Sequence, residues 1–271
     1  MEAILLPTDF SEISKNAAKY ALKLAAQLGV KRLVLYHSYE IPLTIDPITP
    51  AIQMLDIESL KEASQKNIEQ FQLQLKAFAT GMQIDILSEY GALTAGLDEV
   101  CERAGVGLIV MGITGGNLLE EKLIGSNTLS VAKNTNIPVI IVPTGTGFTR
   151  VEEIMLTGDF NKEDTGIPLE HVRKILNETK AKLLVFNVQE NPDPGISYAV
   201  HKQLGEFDPE YHYSKNKNYV ESINAFAIEY KIDLVITVLK KHGFFEGLFS
   251  EDHTKMLAFH SNLPLMVVHN K

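Results

Sequence analysis

Apolar and polar positions fall into blocks of two kinds along this chain. Residues 3–9, AILLPTD, form a short apolar run closed by Pro7 and Asp9, which predicts a buried parallel strand and the loop after it. Residues 11–29 open on a serine, and Ala17, Ala21, Leu24, Ala25 and Leu28 then recur at helical spacing until Gly29. The same logic predicts a strand at 32–40 and, after a proline-punctuated stretch at 41–50, a long helix near 52–79. It then predicts a strand at 82–91, a helix at 93–105, a strand at 106–112, a helix at 124–136 and a strand at 137–143. Strand and helix alternate throughout, so the expected fold is α/β, with a mostly parallel sheet and helices on both faces.

The second half starts again. EEIMLTGDFN (152–161) lies over EAILLPTDFS (2–11), and AKLLVFNVQE (181–190) over KRLVLYHSYE (31–40), both at an offset of 150 residues. NLPLMVVH (262–269) matches NIPVIIVP (136–143) at an offset of 126. Three blocks in order predict two similar doubly wound domains with five-stranded sheets, at 1–143 and 151–271, joined by a linker at 144–150. The second copy is shortened in its middle, where NPDPGISYAVHKQLGEFDPE replaces the proline-rich stretch and the long helix.

Composition narrows the function. A net charge of −9 with no basic patch argues against nucleic acid as a partner. No apolar run reaches the roughly 20 residues a membrane helix needs. The start, MEAILLPTDFSE, lacks the basic segment of a signal peptide. The single cysteine, Cys101, permits neither an internal disulfide nor a cysteine metal cluster. These features predict a cytoplasmic protein.

Candidate chemistry concentrates in MGITGGNLLEEKLIGSNT, residues 111–128, which follows a strand and opens a helix. Glycines let backbone N–H groups approach phosphate oxygens, and a helix start supplies free N–H groups and a positive dipole end. The stretch has one cation, Lys122, beside Glu120 and Glu121. A simpler account of the glycines is loop and capping geometry. Asp9 has a rival role as the cap of the first helix.

These residues resemble the universal stress protein family in its tandem two-domain form. PTDFSE (7–12) looks like that family's opening motif, and NIPVIIVP like its closing strand. Gly112-x2-Gly115-x9-Gly125-Ser126 matches its nucleotide-binding pattern. The resemblance implies an adenine-nucleotide α-hydrolase-like fold and a site for ATP or a related adenine nucleotide in the first domain. Pro7, Thr8 and Asp9 would border that nucleotide, with Asp9 on the ribose hydroxyls or the adenine edge. The backbone near Ser38 would line the base. Gly112 and Gly115 would wrap ribose and phosphates, and Gly125, Ser126, Asn127 and Thr128 would hold the phosphate chain. Family members often carry histidine or arginine around the second glycine, whereas this chain reads Thr114-Gly115-Gly116-Asn117. Glu120 and Glu121 are read either as solvated helix-face acids or as distant partners of a Mg²⁺.

The second copy lacks the pattern. Gly112 aligns with Val238, Gly115 with Lys241, Gly125 with Glu251 and Ser126 with Asp252, and Asp159 stands where Asp9 does. Nucleotide binding in the family's manner is therefore not expected there. Seven of the eight histidines lie in this half without a metal-ligand spacing, and HGFFEGLF (242–249) is expected to fill the vacated pocket or pack on the first domain. The resemblance implies a stress-response or signalling protein whose two domains pair within the chain; further association into a homodimer stays open. No Walker lysine, arginine finger or nucleophile–base pair is evident, so turnover is at most slow ATP hydrolysis. The alternatives are a scaffold of the same fold without nucleotide, and an adenylate-forming enzyme, which would need an SGGxDS-type loop where PTDFSE stands.

Overall fold

A computed structural model describes residues 2–41, 57–113, 126–157, 169–188, 200–215, 218–239 and 263–269. The first half contains β1 (Ala3–Pro7), α1 (Glu12–Gln27), β2 (Arg32–Tyr39), α2 (Ile57–Lys76), β3 (Gln83–Tyr90), α3 (Leu97–Arg103), β4 (Val106–Ile113), α4 (Ser126–Asn134) and β5 (Val139–Pro143). The second contains β6 (Glu153–Thr157), α5 (Leu169–Thr179), β7 (Lys182–Val188), β8 (Glu210–Ser214), α6 (Tyr219–Glu229), β9 (Leu234–Leu239) and β10 (Leu265–His269). Between β7 and β8, where α2 has its counterpart, the described residues 200–204 are helical and lead into the short 3₁₀ turn Gly205–Phe207.

The ten described strands form one sheet in the order β3-β2-β1-β4-β5-β10-β9-β6-β7-β8. Every neighbouring pair is parallel except β5 and β10, which run antiparallel with Ile140 opposite Met266. The order on one side of that junction is the reflection of the order on the other. Because the junction is antiparallel, the carboxyl ends of the first five strands open at one edge of the sheet and those of the last five at the opposite edge.

Alternation along each strand supplies two cores. Ile4, Leu6, Leu33 and Leu35 face α1 and α2, and Ile154, Leu156 and Leu183 continue that layer under α5. Leu5, Val34, Ile109 and Ile141 face α3 and α4, while Met155, Leu184 and Phe186 meet α6. Each fully buried Leu or Ile contributes roughly 1.5–3 kcal/mol. Two-sided burial is why these strands read as continuous apolar runs in the sequence.

Helix α1 has both ends written in its residues. The Ser11 hydroxyl accepts the Ser14 N–H at 3.2 Å, and at the other end Gly29 takes a left-handed φ of 66°. The Val30 N–H reaches back to Ala25 and the Gly29 N–H to Ala26, which completes the stop. One stripe of α1 also carries the connection between the halves. Asn16 donates to the carbonyls of Pro143 and Thr146, Tyr20 meets Phe148 edge-on at 5.2 Å, and Gln27 exchanges two 2.9 Å bonds with the backbone of Val151. From the second half, Asp233 accepts the backbone N–H groups of Glu152 and Glu153 and the Thr149 hydroxyl. The segment 144–152 is thus clasped from both sides.

Candidate functional site

Strands β2 and β3 lead away from β1 on one side, and the chain then crosses back to place β4 on the other. The carboxyl ends of β1 and β4 therefore part at a topological switch point, where open α/β sheets hold their ligands. Asp9 lies two residues beyond β1, Gly112 is the penultimate residue of β4, and Ser38 is the penultimate residue of the neighbouring β2. The topology brings these three to one edge, with the start of α4 following β4.

The turn between β1 and α1 is built around Thr8. Its N–H continues the ladder to the Tyr36 carbonyl at 2.9 Å, and its hydroxyl donates to Ser14 Oγ and accepts the Phe10 N–H, each at 3.0 Å. Phe10 adopts a φ of 65°. A left-handed non-glycine residue costs about 1–2 kcal/mol, so the contacts around it must hold it there. Its ring packs on His37 at 4.5 Å and edge-on to Phe71 of α2 at 6.2 Å.

Asp9 stands exposed inside this turn. Its Oδ1 accepts both the Ser11 N–H at 3.0 Å and the Ser11 hydroxyl at 2.6 Å, whereas Oδ2 takes part in neither bond. Partial desolvation works against the charged form, but the Ser11 hydroxyl and amide outweigh it and hold the carboxyl below its ordinary range. Asp9 is thus not the cap of α1. Ser11 is the cap, and Asp9 fixes Ser11 through Oδ1.

At the end of β4, a Cβ on Gly112 would come within 2.6 Å of Ile13 Cγ2 and 2.7 Å of the Ile13 carbonyl oxygen. Glycine is required here because the first turn of α1 lies against the strand. The Thr128 hydroxyl donates to the Gly112 carbonyl at 2.8 Å and is 4% exposed, which pins the start of α4 to the end of β4. The side chain of Thr128 is therefore a latch. The first turn of a helix such as α4 carries N–H groups without partners within the helix. Asn127 is exposed beside it, and Ser126 is the first residue of α4. Gly115, Gly125, Glu120 and Glu121 lie outside the described residues.

Two residues that the sequence reading passes over complete this edge, namely Phe10 and His37. The one mark that could have flagged His37 is its polar interruption of the run RLVLYHSY. Cys101 is fully buried, and burial raises its thiol to about 12, so it carries no nucleophile at neutral pH. In the second half, Val238 occupies the place of Gly112 and is 5% exposed, packed in the core beneath α5. Asp159, Lys241, Glu251, Asp252, the segment 242–249, His253 and His260 lie outside the described residues. Among the described residues no group of His, Cys, Asp and Glu is placed to hold a metal ion. No described helix is long and apolar enough to cross a membrane.

The profile of the universal stress protein family matches residues 1–143, more than half of the chain. The chain belongs to the universal stress protein family. Universal stress protein MJ0531 of Methanocaldococcus jannaschii is 30% identical over 139 residues, covering 51% of this chain and 80% of that protein. Universal stress protein MJ0577 of the same organism is 27% identical over 153 residues, covering 51% of this chain and 93% of its own length. Across nearly the whole molecule, the fold is that of a universal stress protein from Archaeoglobus fulgidus. That likeness has a TM-score of 0.76 at 19% identity and covers 99% of this chain and 98% of that one. The sheet order and the switch point are thus those of a universal stress protein fold, and the reflected second half is part of it.

Proposed function

We propose that this universal stress protein binds ATP or a related adenine nucleotide at the carboxyl edge of β1, β2 and β4. Its output is a conformational or partner-binding change of the nucleotide-bound state, not rapid turnover. The observation that carries this reading is the exposed Asp9 carboxylate at the switch point, with Oδ1 locked by Ser11. An ionised acceptor held in this way suits the vicinal hydroxyls of a ribose. Pro7 and Thr8 form the wall beneath it, and the backbone at Ser38 borders the base. The first-turn N–H groups of α4, from Ser126 through Thr128, meet the phosphates, with Gly112, Gly115 and Gly125 supplying close backbone approach.

In this reading residues 1–143 are the nucleotide-binding domain, 144–150 the connection and 151–271 a second domain of the same fold that does not bind nucleotide in the family's manner. Val238 supports the last point, because a buried valine stands where the close approach would be made. In the same reading the antiparallel contact of β5 with β10 is where the two domains pair. A rival reading, a scaffold without nucleotide, draws on Gly112 and Thr128, since packing against Ile13 and the Gly112 carbonyl accounts for each without a ligand.

Thermal unfolding with and without millimolar Mg·ATP separates the two. At about 100 times its dissociation constant a ligand of the native state adds about 2.7 kcal/mol, several degrees in melting temperature. An upward shift supports nucleotide binding, and an unmoved transition supports the scaffold.

A further inference from the structure

His37 touches both ends of the turn that carries Asp9. Its Nδ1 lies 2.7 Å from the Thr8 carbonyl oxygen, and since a carbonyl only accepts, that nitrogen carries the proton. Its ring lies 4.5 Å from the ring of Phe10, tilted by 47°. The residue before it, Tyr36, takes the Thr8 N–H on its own carbonyl, so consecutive residues of β2 grip Thr8 through main chain and side chain. The residue after it is Ser38, at the position expected to border the base.

From this geometry we infer that His37 is a positioning residue for the nucleoside. It sets the separation between the Asp9 carboxylate on one strand end and the Ser38 backbone on the next. This inference rests on the nucleotide reading above.

The physical reason lies in the turn. Phe10 is left-handed at a φ of 65°, a conformation its side chain disfavours. Three contacts oppose relaxation: the Phe10 N–H on Thr8 Oγ1, the Phe10 ring on His37, and the same ring edge-on to Phe71. His37 supplies one of these and also fixes the Thr8 carbonyl. Asp9 sits between the two gripped residues, and its carboxylate is tied forward, to Ser11 and Ser14 in the approach to α1. Loss of the His37 N–H releases the Thr8 carbonyl, whose peptide leads into Asp9, while the Thr8 N–H and hydroxyl stay bonded to Tyr36 and Ser14. The Asp9–Ser11 unit then turns relative to β2. Affinity for the ribose falls, while contacts made elsewhere on the nucleotide stay.

Titration calorimetry of the full chain with ATP and with 2′,3′-dideoxy-ATP reads this directly. Losing hydrogen bonds to a charged acceptor costs about tenfold or more, so the wild-type chain prefers ATP by that factor. His37→Phe keeps a ring for Phe10 and removes the N–H. Its ATP affinity is expected to fall about tenfold, with dideoxy-ATP affinity within about twofold of wild type, so the preference collapses. His37→Asn, whose amide nitrogen can occupy the place of Nδ1, should restore part of the preference. Phe10→Leu attacks the same turn from its other side, keeps the question answerable if His37→Phe fails to fold, and should also lower the preference. A preference undiminished in His37→Phe and Phe10→Leu, or an equal weakening of both ligands, overturns the inference alone. A wild-type chain that binds neither ligand overturns the nucleotide reading and this inference with it.

Discussion

The Thr128 hydroxyl donates to the Gly112 carbonyl at 2.8 Å, and this one bond fastens the start of α4 to the end of β4. Two residues that the resemblance places at the nucleotide thus bond to each other. Thr128→Val keeps the shape and takes this donor from a half-buried carbonyl, which costs about 1 kcal/mol. Thr128→Ser keeps the donor. Chemical denaturation should show a lower midpoint for Thr128→Val, with Thr128→Ser close to wild type. Equal losses for the two would mean that the methyl group, not the bond, matters.

Gly112→Ala should destabilise by about 1–3 kcal/mol, because the added carbon runs into Ile13. Part of that clash is with the Ile13 side chain and part with its main-chain oxygen, at 2.6 and 2.7 Å. Adding Ile13→Ala to Gly112→Ala relieves the first contact and leaves the second. The double variant should recover little of the stability, as measured by urea unfolding. Full recovery would show that the backbone approach is looser than the structure has it.

Much of this edge was legible before the structure, and particular residues show why. Ser11 and Gly29 mark the ends of α1 because capping oxygen and left-handed glycine are local requirements. β1 and β5 read plainly because both their faces are buried. β8 does not, since Glu210 to Ser214 lie at the sheet edge and none is fully buried. Phe10 carries no mark of its left-handed turn, which Thr8, His37 and Phe71 impose through contacts from three different elements. Gly112 was visible as a glycine, but its reason was not. The atoms it must avoid belong to Ile13, on another element at a distance no spacing rule reaches. The resemblance places Thr128 at the phosphate chain without saying what its hydroxyl does, and the fold gives that hydroxyl to the Gly112 carbonyl.

Gln27 holds the connection between the halves through two bonds to Val151, each 2.9 Å. Val151 is buried, so Gln27→Leu strands both a backbone N–H and a carbonyl. A loss of about 2 kcal/mol is expected. Limited proteolysis should cut within 144–152 sooner in the variant than in the wild type. Unchanged cleavage would show that Asn16, Tyr20 and Asp233 suffice to hold the segment.

Glu153 offers a pH test. Its Oε2 is buried without a hydrogen-bond partner. Desolvation raises its pKa, Lys182 opposes that, and Glu210, Asp233 and Glu152 reinforce it. A carboxyl with a raised folded-state pKa favours the fold fully below the unfolded value, near 4.3, and loses that contribution as pH climbs through the folded value. Glu153→Gln removes the charged form. The variant should therefore melt higher than wild type at pH 7, and the difference should shrink towards zero as pH falls to about 4. A difference that is constant with pH would contradict this.

The central claim is that the anionic oxygen of Asp9 at the switch point holds an adenine nucleotide. Titration calorimetry of ATP into the full chain and into Asp9→Asn tests it most directly. One saturable site per chain is expected, weakened about tenfold or more in Asp9→Asn, since the neutral amide keeps the shape and loses the charge-assisted bonds. No saturable heat at millimolar ATP, or an affinity unchanged in Asp9→Asn, would contradict it.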